Sequence, residues 1–311
     1  MRRNIRSSRP RKSSSLWQDA MRYLFRQRSA ILGMIILGIM VLMATFAPFI
    51  ATHDPRLSML DVPEEVAMGV QRRMPPCIHL LGCPRDQPQH ILGLDSNVRD
   101  LFSRVIYGSR YSLYIGFASV GFAIVIGSLL GAVGGYAGGW VDNVIMRIMD
   151  VLLAFPALLL AIAIVTVLGP GLVNALLAIG IVSIPAYARV MRASVISIKE
   201  RDFVTADRAL GFSPSRILFR RILPNAMTPM IVQGTLGIAT AILDAAALSF
   251  LGLGAQPPTP EWGTMLGAER NQVFTSPHLV FFPGLMIMLV VLSFNLLGDG
   301  LRDALDPRLN R

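Results

Sequence analysis

The chain carries few residues of the kinds that do covalent or metal chemistry. Two cysteines and four histidines occur in 311 residues. Cys77 and Cys83 are separated by Ile-His-Leu-Leu-Gly, and His90 follows a little further on. In an oxidising compartment such a pair forms a disulfide, although closing so short a loop removes little chain entropy. A metal site built from the two cysteines with His79 and His90 is a second reading, on a spacing that matches no standard set. Two free thiols in a loop are the third. No Ser/His/Asp set stands out, and the sixteen methionines are packing residues rather than metal ligands. The polar residues that remain distinctive are a basic stretch at 189–224, one acid (Asp244) closing an apolar run, and Pro257-Pro-Thr-Pro-Glu-Trp262.

What these residues do depends on the elements that carry them. Hydrophobic types make up 53% of the chain and charged types 15%, against about 25% charged in a typical soluble domain. An ordinary soluble enzyme and a disordered chain are both excluded. Charge-free runs cover 30–51, 111–141, 151–188, 222–243 and 271–298. About 20 apolar residues cross a bilayer as a helix. The third run is too long for one span and contains Gly169-Pro170-Gly171, a turn signal that divides it. The expectation is an all-α polytopic membrane protein with six transmembrane helices near 30–51, 112–137, 145–168, 172–188, 226–250 and 279–298. The segments are a basic N-terminal piece (1–29), a first span (30–51), an outer loop (52–110), a five-helix core (111–298) and a tail (299–311).

Residues 1–28 hold nine Lys/Arg and one acid, Asp19. The apolar stretch that follows is longer than a signal-peptide core of about 7–15 residues and ends without a small-x-small cleavage site, so it reads as an uncleaved span. The positive-inside rule puts this end in the cytoplasm. Six spans return the C-terminus to the same side. The loop 189–221 is then also cytoplasmic, with eight basic residues against three acids, whereas 52–110 balances seven against seven. The formal net charge of +10 is thus topology, and nucleic acid is not needed to explain it.

The basic loop has internal order. Gly211 can end one short helix as a left-handed cap, and Ser213-Pro214 can begin another. Phe203, Ala206 and Leu210 share one stripe while Arg201 and Arg208 face outward. Ile217, Leu218, Ile222 and Leu223 form a second stripe that Pro224 ends. Asp202-Phe-Val-Thr-Ala-Asp-Arg-Ala-Leu-Gly211, with Ile222-Leu-Pro224, resembles the "EAA" coupling loop of ABC-importer permeases. Ala206, Gly211 and Pro224 match that pattern, while Thr205 stands where Glu is usual and Asp207 where the second Ala is usual. Leu94-Asp-Ser-Asn-Val-Arg-Asp-Leu-Phe-Ser-Arg-Val-Ile-Tyr-Gly108 is similar to the stretch leading into the second span, with Val98 replacing a usual Gly. Phe250–Leu266 and Asn295–Pro307 resemble the C-type permeases of dipeptide, oligopeptide, nickel and glutathione importers. The insert 66–90 departs from the family.

The resemblance implies a type I ABC-importer permease fold in a bacterial or archaeal inner membrane. It also implies partners: a second homologous permease, two cytoplasmic ATP-binding subunits and an extracytoplasmic substrate-binding protein. Phe203, Ala206, Arg208, Leu210, Gly211 and Pro224 would then make up the ATPase-coupling loop. The chain has no G-x-x-x-x-G-K-[ST] phosphate loop, so ATP is used by the partners and the chain itself carries no cofactor and is no enzyme. The implied cargo is peptide, with nickel, glutathione or another small solute as the alternative. A self-sufficient ion-coupled carrier would instead show an inverted internal repeat, and none is convincing. A purely structural membrane scaffold would need no amphipathic cytoplasmic helix pair.

Several residues keep two readings. Asp244 either lines the outer mouth of a pathway or caps the fifth span at the interface. Gln256, Glu261 and Trp262 either form an outer docking or gating element or stabilise a re-entrant loop. Gly127, Gly131 and Gly135 form consecutive GxxxG patterns for close helix packing. Arg147 and Asp150, at i and i+3, either pair or anchor at the interface.

Overall fold

The computed structural model describes residues 23–61, 69–84 and 89–305. The basic segment 1–22, parts of the insert at 66–90 and the end of the tail lie outside the described residues. Eleven α-helices are numbered in chain order: α1 Arg28–Thr45, α2 Ala47–Ile50, α3 Leu101–Ala137, α4 Gly139–Leu153, α5 Ala157–Leu168, α6 Leu172–Lys199, α7 Asp202–Ala209, α8 Pro214–Ile217, α9 Leu223–Phe250, α10 Trp262–Glu269 and α11 His278–Leu305. Among the described residues there is no strand, and β pairing is confined to the isolated bridges Cys77–His90 and Leu94–Asp100.

Five segments are long and apolar enough to cross a bilayer: α1, α3, α6, α8–α9 together and α11. The sixth, expected as one helix over 145–168, is two helices meeting at 91°. Phe155-Pro156 sits at the bend, where the proline drives its predecessor out of the helical region and caps α5. The 12 residues of α5 reach only about 18 Å at 1.5 Å per residue, short of a full hydrocarbon core of about 30 Å. The turn at Gly169-Pro170-Gly171 separates α5 from α6, with Gly169 at φ +91° and Asn174 donating to the Leu168 and Gly169 carbonyls.

Two other boundaries differ from the hydropathy reading. The second span begins earlier, at Leu101, because Asp100 caps α3 by accepting from the Ser103 N–H at 2.8 Å. Pro224 does not end a helix. The chain passes from α8 through a π turn over Leu218–Ile222 into α9, with Pro224 in its first turn. The helix is continuous there, and proline, with no N–H to donate, is accommodated beside the π turn. The wider turn lets the Leu223 N–H reach the Leu218 carbonyl five residues back.

The core is built by small residues that let backbones approach, as expected where lipid tails give helices no hydrophobic reason to associate. Gly127, Gly131 and Gly135 on α3 all face α6. A Cβ at Gly127 would stand 2.8 Å from the Ile184 carbonyl oxygen and one at Gly135 2.9 Å from that of Arg192, while at Gly131 it would overlap the Ala188 carbonyl. Gly33 of α1 meets the Ser293 carbonyl of α11 in the same manner. Trp262, Tyr187 and Phe294 are the largest fully buried side chains between these helices.

Candidate functional site

Two polar regions stand at opposite ends of the bundle. The first is the connection from α6 to α9. Helix α7 ends on a Schellman motif: Gly211 has φ +77°, its N–H donates to the Arg208 carbonyl at 3.0 Å, and the Phe212 N–H donates to the Asp207 carbonyl at 3.1 Å. A non-glycine residue pays a steric cost in that left-handed region. Ser213 occupies the N-cap of α8 in extended conformation with Pro214 at the first helical position, but its hydroxyl makes no capping bond. Helix α7 buries Val204 and Asp207. The stripe Phe203, Ala206, Leu210 faces away from the bundle together with Arg201, Thr205 and Arg208, and Leu210 is 73% exposed. Ile217, Leu218 and Ile222 point inward and are buried.

The buried Asp207 pairs with Arg221 of the π turn at 3.1 Å, so the position that departs from the family pattern fastens α7 to the base of α9. Arg216 stacks over the Phe212 ring at 4.5 Å. Ser215, Arg216, Phe219 and Arg220 line an open depression of about 430 Å³ beside it. The C-terminal half of α6 is tied by its basic residues. Arg192 makes a bidentate pair with Asp142 of α4, Arg189 pairs with Asp150 at 2.6 Å, and the Lys199 ammonium donates to the Tyr136 carbonyl at 2.8 Å. Asp150 therefore pairs across helices with Arg189. Its i, i+3 pairing with Arg147 is not formed, because α4 packs against α6 along the face that carries the acids.

The second polar region is the opposite end. Trp262 is fully buried, with its indole N–H on the Val105 carbonyl at 3.0 Å and its ring against Gly108. Glu261 is 1% exposed. Its carboxylate caps α10 by accepting from the Gly263 and Thr264 N–H groups and also accepts from the Ser112 hydroxyl. These two residues hold the 251–261 segment onto α3, and neither is presented at the surface. Gln256 is exposed and donates to the Gly252 and Gly254 carbonyls. Arg104 is buried between the Pro55 and Pro258 carbonyls and Asp95. Glu269 receives the Ser96 N–H and Arg73. Asp244 lies half-buried six residues before the end of α9 and makes no ion pair among the described residues.

Cys77 and Cys83 are joined in a disulfide with Cα atoms 5.4 Å apart. The thiols are therefore not metal ligands. His90 is instead drawn to residues the sequence reading passed over. Its backbone pairs with Cys77 in both directions at 2.8 and 3.0 Å, and its Nδ1 lies 3.1 Å from Oδ1 of Asp100. The His53 Nδ1 lies 3.8 Å from the same oxygen. Burial pushes the Asp100 carboxyl up, but the nearby His53 ring and the bonds from His90 and Ser103 outweigh it and hold the group well below the usual carboxylate range.

The described residues form an all-helical bundle of candidate membrane spans, with a glycine-capped helix pair at one end and a latched polar loop at the other. Residues 123–311 match the family described as binding-protein-dependent transport system inner membrane component. Residues 15–76 match the N-terminal TM domain of oligopeptide transport permease C. The chain belongs to this family of ABC-importer permeases. It is 47% identical to the dipeptide transport system permease protein DppC of Alkalihalophilus pseudofirmus, over 95% of this chain and 91% of that one. It is 44% identical to the glutathione transport system permease protein GsiD of Escherichia coli O6:K15:H31, over 94% and 91%. Among solved structures, the inward-facing MetNI methionine ABC transporter matches with a TM-score of 0.54 at 18% identity, covering 65% of this chain and 96% of that one. This last likeness concerns the fold alone, and it agrees with the type I permease architecture expected from the sequence.

Proposed function

We propose that this chain is the permease half that carries short peptides across the inner membrane and receives the ATPase stroke on α7. The observation behind the coupling assignment is the two-sided nature of α7. Val204 and Asp207 lock it to the bundle, while Phe203, Ala206, Leu210 and Arg208 stand free at its outer surface. A short helix with buried anchors and an exposed apolar stripe suits docking into a groove of another subunit. The partners are a second permease, two ATP-binding subunits and a soluble binding protein, and the chain hydrolyses no ATP of its own. Both termini lie in the cytoplasm, and the 52–110 loop with Gln256 lies outside.

Peptide cargo is supported by the dipeptide permease that aligns with 95% of the chain. Glutathione, itself a modified tripeptide, is the second reading, supported by the 44% identical relative. The test is uptake of labelled dipeptide and labelled glutathione in cells lacking this chain and in cells complemented with it. Dipeptide uptake restored by complementation supports the proposal. Restoration of glutathione uptake alone favours the second reading, and restoration of neither overturns both.

A further inference from the structure

We propose that His53, His90 and Asp100 form a binding site for one divalent first-row transition cation, with Zn²⁺ as the fitting ion. One nitrogen from each imidazole and one oxygen of Asp100 all lie within 4.8 Å of one another. Ligands at about 2.0–2.1 Å from a tetrahedral zinc ion stand roughly 3.3 Å apart. The 3.1 Å from His90 Nδ1 to Asp100 Oδ1 and the 3.8 Å from His53 Nδ1 bracket that spacing. A rotation of His53, which is 29% exposed and whose Nδ1 now lies 2.9 Å from the Thr52 hydroxyl, exchanges that hydrogen bond for the metal and closes the set, and a fourth position remains for water.

The two carboxylate oxygens have different duties. Oδ2 accepts the Ser103 N–H at 2.8 Å, the Ser103 hydroxyl at 2.7 Å and the Thr52 hydroxyl at 3.3 Å. Oδ1 faces the two imidazoles. The capping bonds thus fix the carboxylate plane and leave one oxygen aimed between two ring nitrogens. Outer-shell bonds hold the ligands of established metal sites in the same way. His90 and Asp100 are 2% and 1% exposed, so the site is shielded, and His53 forms its open side. The Cys77–Cys83 bridge adds rigidity, because His90 is paired to Cys77 through both backbone bonds. Two imidazoles and one carboxylate suit zinc-like ions, whereas calcium or magnesium would call for oxygen ligands. Ligation would use the Nδ1 lone pair of each ring, in place of the present Nδ1 contacts to Asp100 and Thr52. The bound ion would join the segment after α2 to the start of α3, fastening the outer loop across 47 residues of chain.

The site is tested on the full-length chain, purified in detergent with a tag free of histidine and stripped with a chelator. Zinc is measured by equilibrium dialysis and elemental analysis. A Co²⁺-loaded sample supplies a visible absorption band that reports coordination number. The wild type is expected to hold one zinc per chain. Loss of a ligand in His53→Ala should weaken binding by at least about tenfold, since outer-shell losses alone cost 10- to 100-fold. His90→Asn keeps an amide donor for Asp100 but supplies no ligand nitrogen. It should fold normally and still lose the metal, which separates ligation from helix capping. Zinc retention equal in the wild type and the His53→Ala/His90→Asn double variant would overturn the proposal. So would a cobalt spectrum insensitive to both substitutions.

Discussion

Replacing Phe203 and Leu210 together by alanine removes the apolar stripe of α7 without touching its anchors. Leu210 is 73% exposed and Phe203 40%. Complete burial of a Leu or Phe side chain is worth roughly 1.5–3 kcal/mol, so covering the exposed fractions is worth about 1–2 kcal/mol at Leu210 and about 0.6–1.2 kcal/mol at Phe203. Their sum, about 1.6–3 kcal/mol, corresponds to a roughly 15- to 150-fold weaker complex with the ATP-binding subunit. Stability of the permease itself should stay within about 0.5 kcal/mol, as for other surface substitutions. Val204→Asp provides the contrast, since it buries a charge at a fully enclosed position and should damage the fold before it affects docking. The assay is titration of the purified ATP-binding subunit onto the permease in nanodiscs, with thermal unfolding in parallel. Unchanged affinity for the double alanine variant at unchanged stability would refute the assignment of α7 as the docking helix.

Other perturbations read other parts of the account. Gly131→Ala forces a Cβ into the Ala188 carbonyl and should cost roughly 1–3 kcal/mol as overpacking. Gly38→Ala, with open space around it, should be neutral or stabilising by up to about 1 kcal/mol; thermal unfolding in detergent distinguishes the two. Trp262→Ala should cost roughly 3–5 kcal/mol and release the 251–261 segment, seen as faster proteolysis there. Asp207→Ala removes a pair whose arginine is 53% exposed, so its stability cost should stay below about 1 kcal/mol. The same change should loosen the α7–α9 link and, on the proposed coupling role of α7, lower the ATPase rate of the assembled transporter.

The spans were legible because charge-free runs are set by the bilayer itself, and the Gly-Pro-Gly turn and Gly211 cap were legible because each needs a backbone that glycine provides. The 91° bend between α4 and α5 was not, since hydropathy is blind to direction and Pro156 was its one local signal. The first turns of α3 were read as loop for a related reason. Asp100, Ser103 and Arg104 look like surface residues until Thr52, His53 and Pro55, from a distant segment, pack against them. Glu261 and Trp262 sit in a proline-rich stretch typical of exposed loops, yet their contacts come from Ser112, Val105 and Gly108 on α3. Asp150 met Arg189 rather than its neighbour Arg147 because helix packing, not spacing along one helix, chose the partner. The His53–His90–Asp100 group was invisible for the same cause, its members being brought together by the folding of the segment between α2 and α3.

The central claim is that this chain passes solute through the membrane only as part of an ATP-driven, binding-protein-dependent machine. The most direct measurement is uptake of labelled dipeptide into proteoliposomes that hold the complete transporter. ATP and the binding protein are supplied or withheld on their respective sides. The account predicts accumulation that requires both and disappears in a variant ATPase unable to hydrolyse. Accumulation that continues without ATP, driven by an imposed proton or sodium gradient, would contradict it.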